Sequence, residues 1–205
     1  MNIYFAGSKG KTGSIIYNYL KEKGYLISGE INLNEEKLEN IIKDNSIVID
    51  FTNKDTALNH ALICLNSKSH FICGTTGIEE TKIKELQNKA KEKNLTFIFN
   101  PNFSLGIPKL LKVLTDLKTD FPQTKIVESH HISKLDLPSG TALLLKKELY
   151  DTTQIESIRT TYKSLDHEIT LENEYETIAV THKVKDKLAY AKGVEKELFN
   201  LINKK

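Results

Sequence analysis

The residues with the most chemistry in them crowd into one stretch, Glu128-Ser129-His130-His131-Ile132-Ser133-Lys134-Leu135-Asp136-Leu137-Pro138-Ser139-Gly140-Thr141-Ala142. Two histidines and a lysine close a strand-like run, and a helix-like run begins at Ser139. Ser139 is a good helix N-cap, and Gly140 and Thr141 offer first-turn N–H groups that suit a carboxylate ligand. Adjacent histidines on an extended segment point to opposite faces, so they are not expected to share a metal, and no metal site is assigned. A histidine beside a lysine next to an anion site suits proton donation.

A second group of unusual residues sits where short apolar runs end. Gly7-Ser8-Lys9-Gly10-Lys11-Thr12-Gly13 follows the first run, Asn32 the second and Asp50-Phe51-Thr52 the third. Gly74-Thr75-Thr76-Gly77 follows the fourth and Asn100-Pro101-Asn102-Phe103 the fifth. Glycines at 7, 10 and 13 let the backbone turn tightly and approach a pyrophosphate at a helix N-terminus. The tail Gly10-Lys11-Thr12 also suggests a nucleotide-triphosphate loop, but that motif needs a further glycine where Phe5 stands. NAD-type folds place an acid about 20 residues after the glycine cluster, at the end of the second strand. Asn32 stands there, with Lys9 and Lys11 in the loop nearby, a combination that would tolerate a 2′-phosphate. The expectation is that NADPH is used at least as well as NADH.

These groups need a frame that brings strand ends together. The first half alternates strands at 3–6, 25–31, 47–50, 70–73 and 96–99 with helices at 12–23, 35–43, 55–65 and 79–93. Such alternation predicts a parallel sheet covered on both faces, with ligands beyond the carboxyl ends of its strands. After Phe103 come a helix at 105–117, a strand at 125–129, a helix at 139–150, three alternating β-like runs at 157–163, 167–171 and 175–182, and an amphipathic helix at 184–203. The fold class is α/β: a Rossmann-type domain, residues 1–103 completed by the helix in 184–205, and a smaller α+β domain, residues 104–183, with an open mixed sheet.

Composition narrows the partners. The 205 residues carry 29 Lys plus Arg against 27 Asp plus Glu, a net charge of +2. That balance argues for neither nucleic acid nor a membrane surface. No apolar run reaches the roughly 20 residues of a membrane helix, and the opening residues do not pattern as a secretory signal. The cytoplasm is the expected location, with Cys64 and Cys73 reduced. Without a secretory signal, the strings Asn94-Leu95-Thr96 and Asn102-Phe103-Ser104 carry no meaning as glycosylation acceptors.

Together these residues resemble the dihydrodipicolinate reductases of bacterial lysine and diaminopimelate synthesis. The resemblance runs almost end to end. It rests on the Gly7–Gly13 loop, Asp50-Phe51-Thr52, Gly74-Thr75-Thr76-Gly77, Asn102-Phe103-Ser104-Leu105-Gly106, the block from Glu128 to Ala142, and Thr181-His182-Lys183 ahead of the last helix. The long block is the specific part. It implies an enzyme that reduces a cyclic, unsaturated dicarboxylate to tetrahydrodipicolinate with NADPH or NADH. By position His130 is the proton donor and Lys134 its catalytic partner. His131, Lys134, Gly140 and Thr141 match substrate contacts, to which the helix-cap reading adds Ser139. Gly7, Ser8, Lys9, Gly10, Lys11, Thr12, Gly74, Thr75, Thr76, Asn100, Asn102 and Phe103 match cofactor contacts, with Asn32 and Phe51 added from their places at strand ends. The family also implies a homo-oligomer, usually a tetramer built on the second sheet; a dimer is the other outcome.

The chain departs from the family in ways that bear on this. The stretches 32–50 and 141–159 are short, Thr160-Thr161 stands for a glycine pair, and Leu165-Asp166-His167 stands for Gly-Glu-His. These changes touch the oligomer surface and the domain hinge more than the chemistry. Two other functions fit the same frame: a dinucleotide-binding paralogue without turnover, and a different small-acid dehydrogenase.

Overall fold

The computed structural model describes residues 1–31, 38–162 and 164–203. Asn32 and the expected start of the second helix fall outside them. Two compact units divide the chain, Met1–Phe103 with Tyr190–Lys205, and Ser104–Ala189.

In the first unit the elements run β1 (Ile3–Ala6), α1 (Gly13–Glu22), β2 (Ile27–Ile31), α2 (Leu38–Ile41), β3 (Ile47–Asp50), α3 (Lys54–Asn66), β4 (His70–Cys73), α4 (Glu80–Glu92) and β5 (Phe97–Phe99). The sheet order is β2-β1-β3-β4-β5, every pairing parallel. Strands this short and apolar work only with both faces covered. Period-two alternation sends Tyr4, Ala6, Val48 and Phe71 to one face, against Ala61 and Leu65 of α3 and Leu86 of α4. It sends Ile3, Phe5, Ile47, Ile49 and Ile72 to the other, against Ile16 and Leu20 of α1 and Ala191, Val194 and Leu198 near the chain end. The order reverses direction between β1 and β3, which is where open parallel sheets bind ligands.

The second unit holds α5 (Ile107–Leu117), β6 (Gln123–His131), α6 (Gly140–Glu148), β7 (Gln154–Thr160), β8 (Leu165–Glu172) and β9 (Thr177–Lys183), and α7 (Leu188–Ile202) begins at its end. Its sheet is mixed, in the order β7-β6-β8-β9. The β6–β7 pair is parallel and spans α6, whereas β6–β8 and β8–β9 are antiparallel. Ile126, Ile169 and Leu171 pack on Leu110 and Leu114 of α5 and Leu145 of α6.

Several boundaries differ from the sequence reading, among them those of β6, β7 and the last helix. β6 runs on to His131 rather than stopping at 129, because its pairing with β7 and β8 continues through His130↔Arg159 and His130↔Leu165. β7 starts at Gln154 rather than 157, paired from Lys125↔Gln154 onward. The last helix starts at Leu188 rather than 184. Val184 N still donates to Leu165 O at 3.1 Å, and Asp186 Oδ1 accepts from Leu188 N at 2.8 Å, which sets the helix start. Both cysteines are free and buried. Burial first, and the charge of Asp50 second, push the Cys73 thiol up to about 12, and the same causes raise Cys64. Among the described residues no helix is long and apolar enough to cross a membrane.

Candidate active site

The glycine turn after β1 is shaped by contact with the tip of β3. Gly7 has φ +86°, and a Cβ there would lie 2.5 Å from the Phe51 carbonyl oxygen. Only glycine fits that conformation at that distance. Gly10 N donates to Gly7 O at 3.0 Å, closing the turn onto α1. At the head of α1, Thr12 makes no side-chain cap and the first turn has no acid. These features suit an anion at the helix start. Lys9 and Lys11 are exposed.

The other tips are tied to this one through Asp50 and Phe51. Asp50 is fully buried. Its Oδ1 accepts from Thr52 N at 3.0 Å, Thr52 Oγ1 at 2.7 Å and Thr75 Oγ1 at 3.0 Å, and its Oδ2 lies 2.7 Å from His60 Nδ1. One carboxylate thus fixes two sheet tips and α3. The Phe51 ring stacks on Phe5 at 6.2 Å and meets Phe103 at 5.9 Å. A Cβ on Gly74 would strike that ring, so Gly74 makes room for Phe51. Asn100 Oδ1 accepts from Asn102 N at 2.9 Å, which bends the tip after β5. Of the sequence-assigned cofactor residues, the structure gathers Gly7, Phe51, Gly74, Thr75 and Phe103 through these contacts.

Sequence reasoning missed Glu30. It lies one residue before the end of β2, where Ser8 Oγ donates to Oε2 at 2.7 Å and the Tyr17 hydroxyl to Oε1 at 2.5 Å. The signal was present: an acid about 20 residues beyond Gly10.

In the second unit the chemistry collects at one end of the sheet. Glu128, His167 and His182 share one register row across β6, β8 and β9. His130 lies two residues past Glu128 and so faces the same side. Glu128 is fully buried. Its Oε1 accepts from Ser139 N at 3.1 Å and from Arg159 Nη1 and Nη2 at 3.3 and 3.2 Å. His130 Nδ1 lies 2.9 Å from Oε2, close enough for an ion pair though off the hydrogen-bond direction. Burial works against the charged carboxylate, but His130, Ser139 and Ser157 outweigh it and hold Glu128 well below the usual carboxylate range. The His167 ring stands edge-on to His130 at 5.3 Å and 6.3 Å from His182. Burial first, then the His130 charge, pushes His167 down to about 3. His182 Nε2 pairs with Ser104 Oγ at 3.0 Å.

Ser139 caps α6, its Oγ accepting from Ala142 N at 3.2 Å, and Gly140 and Thr141 follow in the first turn. Arg159 holds the segment between β6 and α6 from below: Nη2 donates to Asp136 O at 2.6 Å and Nε to Lys134 O at 3.3 Å. Lys134 Nζ sits on the Asp136 carboxylate at 2.8 Å, partly exposed. His131 is exposed on the opposite face from His130, and its Nδ1 accepts from Ser133 N at 3.1 Å. The structure therefore brings His130, Ser139 and the α6 head together through Glu128, and gives His131 to the turn. Glu128, His130 and His167 offer ligand atoms within 4.8 Å of one another. The Arg159 guanidinium already balances Glu128, which disfavours a cation in that place.

Known proteins match this chain along its length. The model of the dihydrodipicolinate reductase N-terminus matches residues 1–103, and that of its C-terminus residues 107–205. The 4-hydroxy-tetrahydrodipicolinate reductase of Thermosipho africanus is 31% identical over 210 residues, covering 100% of this chain and 93% of its own. That of Legionella pneumophila strain Paris is 27% identical, covering 96% of this chain and 93% of its own. Among solved structures, a dipicolinate-bound dihydrodipicolinate reductase from Paenisporosarcina sp. TG-14 superposes with a TM-score of 0.75, at 21% identity, over 98% of this chain and 94% of that one. An aspartate dehydrogenase from Thermotoga maritima superposes at 0.61 with 15% identity, over 100% of this chain and 98% of that one, a likeness of fold. Matched in both of its halves and over its full length, the chain belongs to the dihydrodipicolinate reductase family.

Proposed function

We propose that this chain reduces 4-hydroxy-tetrahydrodipicolinate to tetrahydrodipicolinate at the expense of a reduced nicotinamide dinucleotide. The observation that carries the reading is His130, buried against an ionised Glu128 that also holds the head of α6. The glycine turn, the α1 head and the tips at Phe51, Thr75 and Asn102 hold the dinucleotide, which supplies hydride when bound. In the second unit the first-turn N–H groups at Gly140 and Thr141 and the Lys134 ammonium hold the carboxylates. The 4-hydroxyl leaves as water, and His130 delivers the proton that balances the hydride. The Glu128 carboxylate stands against the His130 ring at 2.9 Å, and Arg159 keeps Glu128 and the Lys134 segment in place. The same reading includes a homo-oligomer joined across the outer face of the four-stranded sheet, which light scattering tests.

The deciding assay follows absorbance of the reduced cofactor. Oxidation should occur only when fresh product of dihydrodipicolinate synthase is added. His130→Ala should lower kcat about a hundredfold or more, with cofactor affinity little changed. Wild-type protein that binds cofactor but never oxidises it would favour the paralogue without turnover.

A further inference from the structure

We propose that His60 is a positioning residue for the dinucleotide: acting through the Asp50 carboxylate, it sets the β3 and β4 tips that take the nicotinamide half of the cofactor. The inference rests on the reductase reading and deepens it. His60 sits in the second turn of α3, buried, with its Nδ1 2.7 Å from Asp50 Oδ2. A carboxylate accepts and does not donate, so Nδ1 carries the shared proton, in a bond of the charge-assisted kind. The other oxygen serves the tips: Oδ1 accepts from Thr52 N, Thr52 Oγ1 and Thr75 Oγ1. His60 need not touch a ligand. By engaging Oδ2 it fixes the carboxylate plane and so aims Oδ1 at both tips at once.

The two sides of the sheet serve different halves of the cofactor. Parallel dinucleotide folds bind across the point where strand order reverses, with the adenosine half over the first two strands. The reversal here falls between β1 and β3, which leaves β3 and β4 for the nicotinamide half. Asp50 ends β3, Phe51 follows it, and Thr75 lies just past β4. The adenosine side is closed by bonds of its own: Gly7 N donates to Ile31 O and Gly10 N to Gly7 O, each at 3.0 Å. With the His60 donor gone, a fully buried carboxylate would lack one partner and turn toward another donor or water. Thr52 and Thr75 would turn with it, and the glycine turn would stay.

Calorimetric titration of the protein without substrate separates the two halves. His60→Leu keeps roughly the size of the side chain and removes the donor. It should raise the Kd of NADH and of NADPH about tenfold and that of 5′-AMP less than about twofold, on the scale of one hydrogen bond to a charged group. A purely structural role for His60 would weaken 5′-AMP together with the dinucleotides. His60→Asn, whose amide N–H can stand where Nδ1–H stands, should restore most of the lost affinity. The wild type alone decides the matter if His60→Leu folds poorly: in protein labelled with nitrogen-15 histidine, the His60 Nδ1–H resonance should shift on adding NADH and hold still on adding 5′-AMP. Four results overturn the inference and leave the reductase reading standing: a His60 resonance indifferent to NADH, dinucleotide Kd values unmoved in His60→Leu, 5′-AMP weakened there as much as NADH, or His60→Asn as weak as His60→Leu. Failure of the wild type to bind either dinucleotide overturns both.

Discussion

Replacing His167 with Gln should flatten the acid side of the protein's stability curve. His167 is 2% exposed and lies between His130 and His182. Its folded-state value is pushed down to about 3, mainly by burial; an unfolded histidine titrates near 6.5. The unfolded chain therefore takes up a proton as pH falls through 6.5, while the folded chain refuses it until about 3. Stability from this group is complete above about 6.5 and is lost on acidification. Inside that window each pH unit costs about 1.4 kcal/mol. Moving from pH 7 to pH 5 thus removes about 2 kcal/mol through this one side chain. A glutamine keeps a polar group near Ser139 Oγ, which stands 3.4 Å from His167 Nε2, and cannot titrate. Urea unfolding at both pH values, followed by circular dichroism, measures the difference for each protein. The variant should lose about 2 kcal/mol less than the wild type over that interval. Equal losses would refute the claim that His167 is buried uncharged.

Glu128→Gln removes the charge that balances Arg159 and His130 in a fully buried place. It should cost about 3 kcal/mol of stability in the same unfolding measurement and lower kcat, with cofactor affinity retained. Gly193 packs so closely on the Phe103 carbonyl that any Cβ would collide with it. Gly193→Ala should destabilise by about 1–3 kcal/mol, read as a lower Tm.

Much of this was legible in the sequence where a single physical rule governs. Continuous apolar runs such as Ile47-Val48-Ile49 announce strands covered on both faces, and Ser139 announces the start of α6. What escaped depended on pairing between distant segments. β6 reaches His131 because β7 and β8 keep bonding it, and no local signal near Ser129 reports that. Glu128 and Arg159 read as ordinary strand residues until the β6–β7 register sets the guanidinium on the carboxylate. The resemblance makes His131 a substrate contact, whereas in the structure its Nδ1 accepts from Ser133 N on the face opposite His130. Asp50 looks like an exposed tip residue, yet Thr52, Thr75 and His60 turn it into an internal tie.

The placement of α7 bears on how the chain is made. Residues Ala191, Val194, Leu198 and Leu201 cover the sheet face built from Ile3, Phe5, Ile47, Ile49 and Ile72. Those five emerge from the ribosome well before their cover, which follows the whole second unit. During synthesis the first sheet therefore waits with one oily side open to water, a condition that invites association with other nascent chains or capture by a chaperone. Closing that gap joins segments far apart in sequence, so it is a slow late event. A chain cut short before Tyr190 would leave that sheet face without the cover of Ala191, Val194, Leu198 and Leu201.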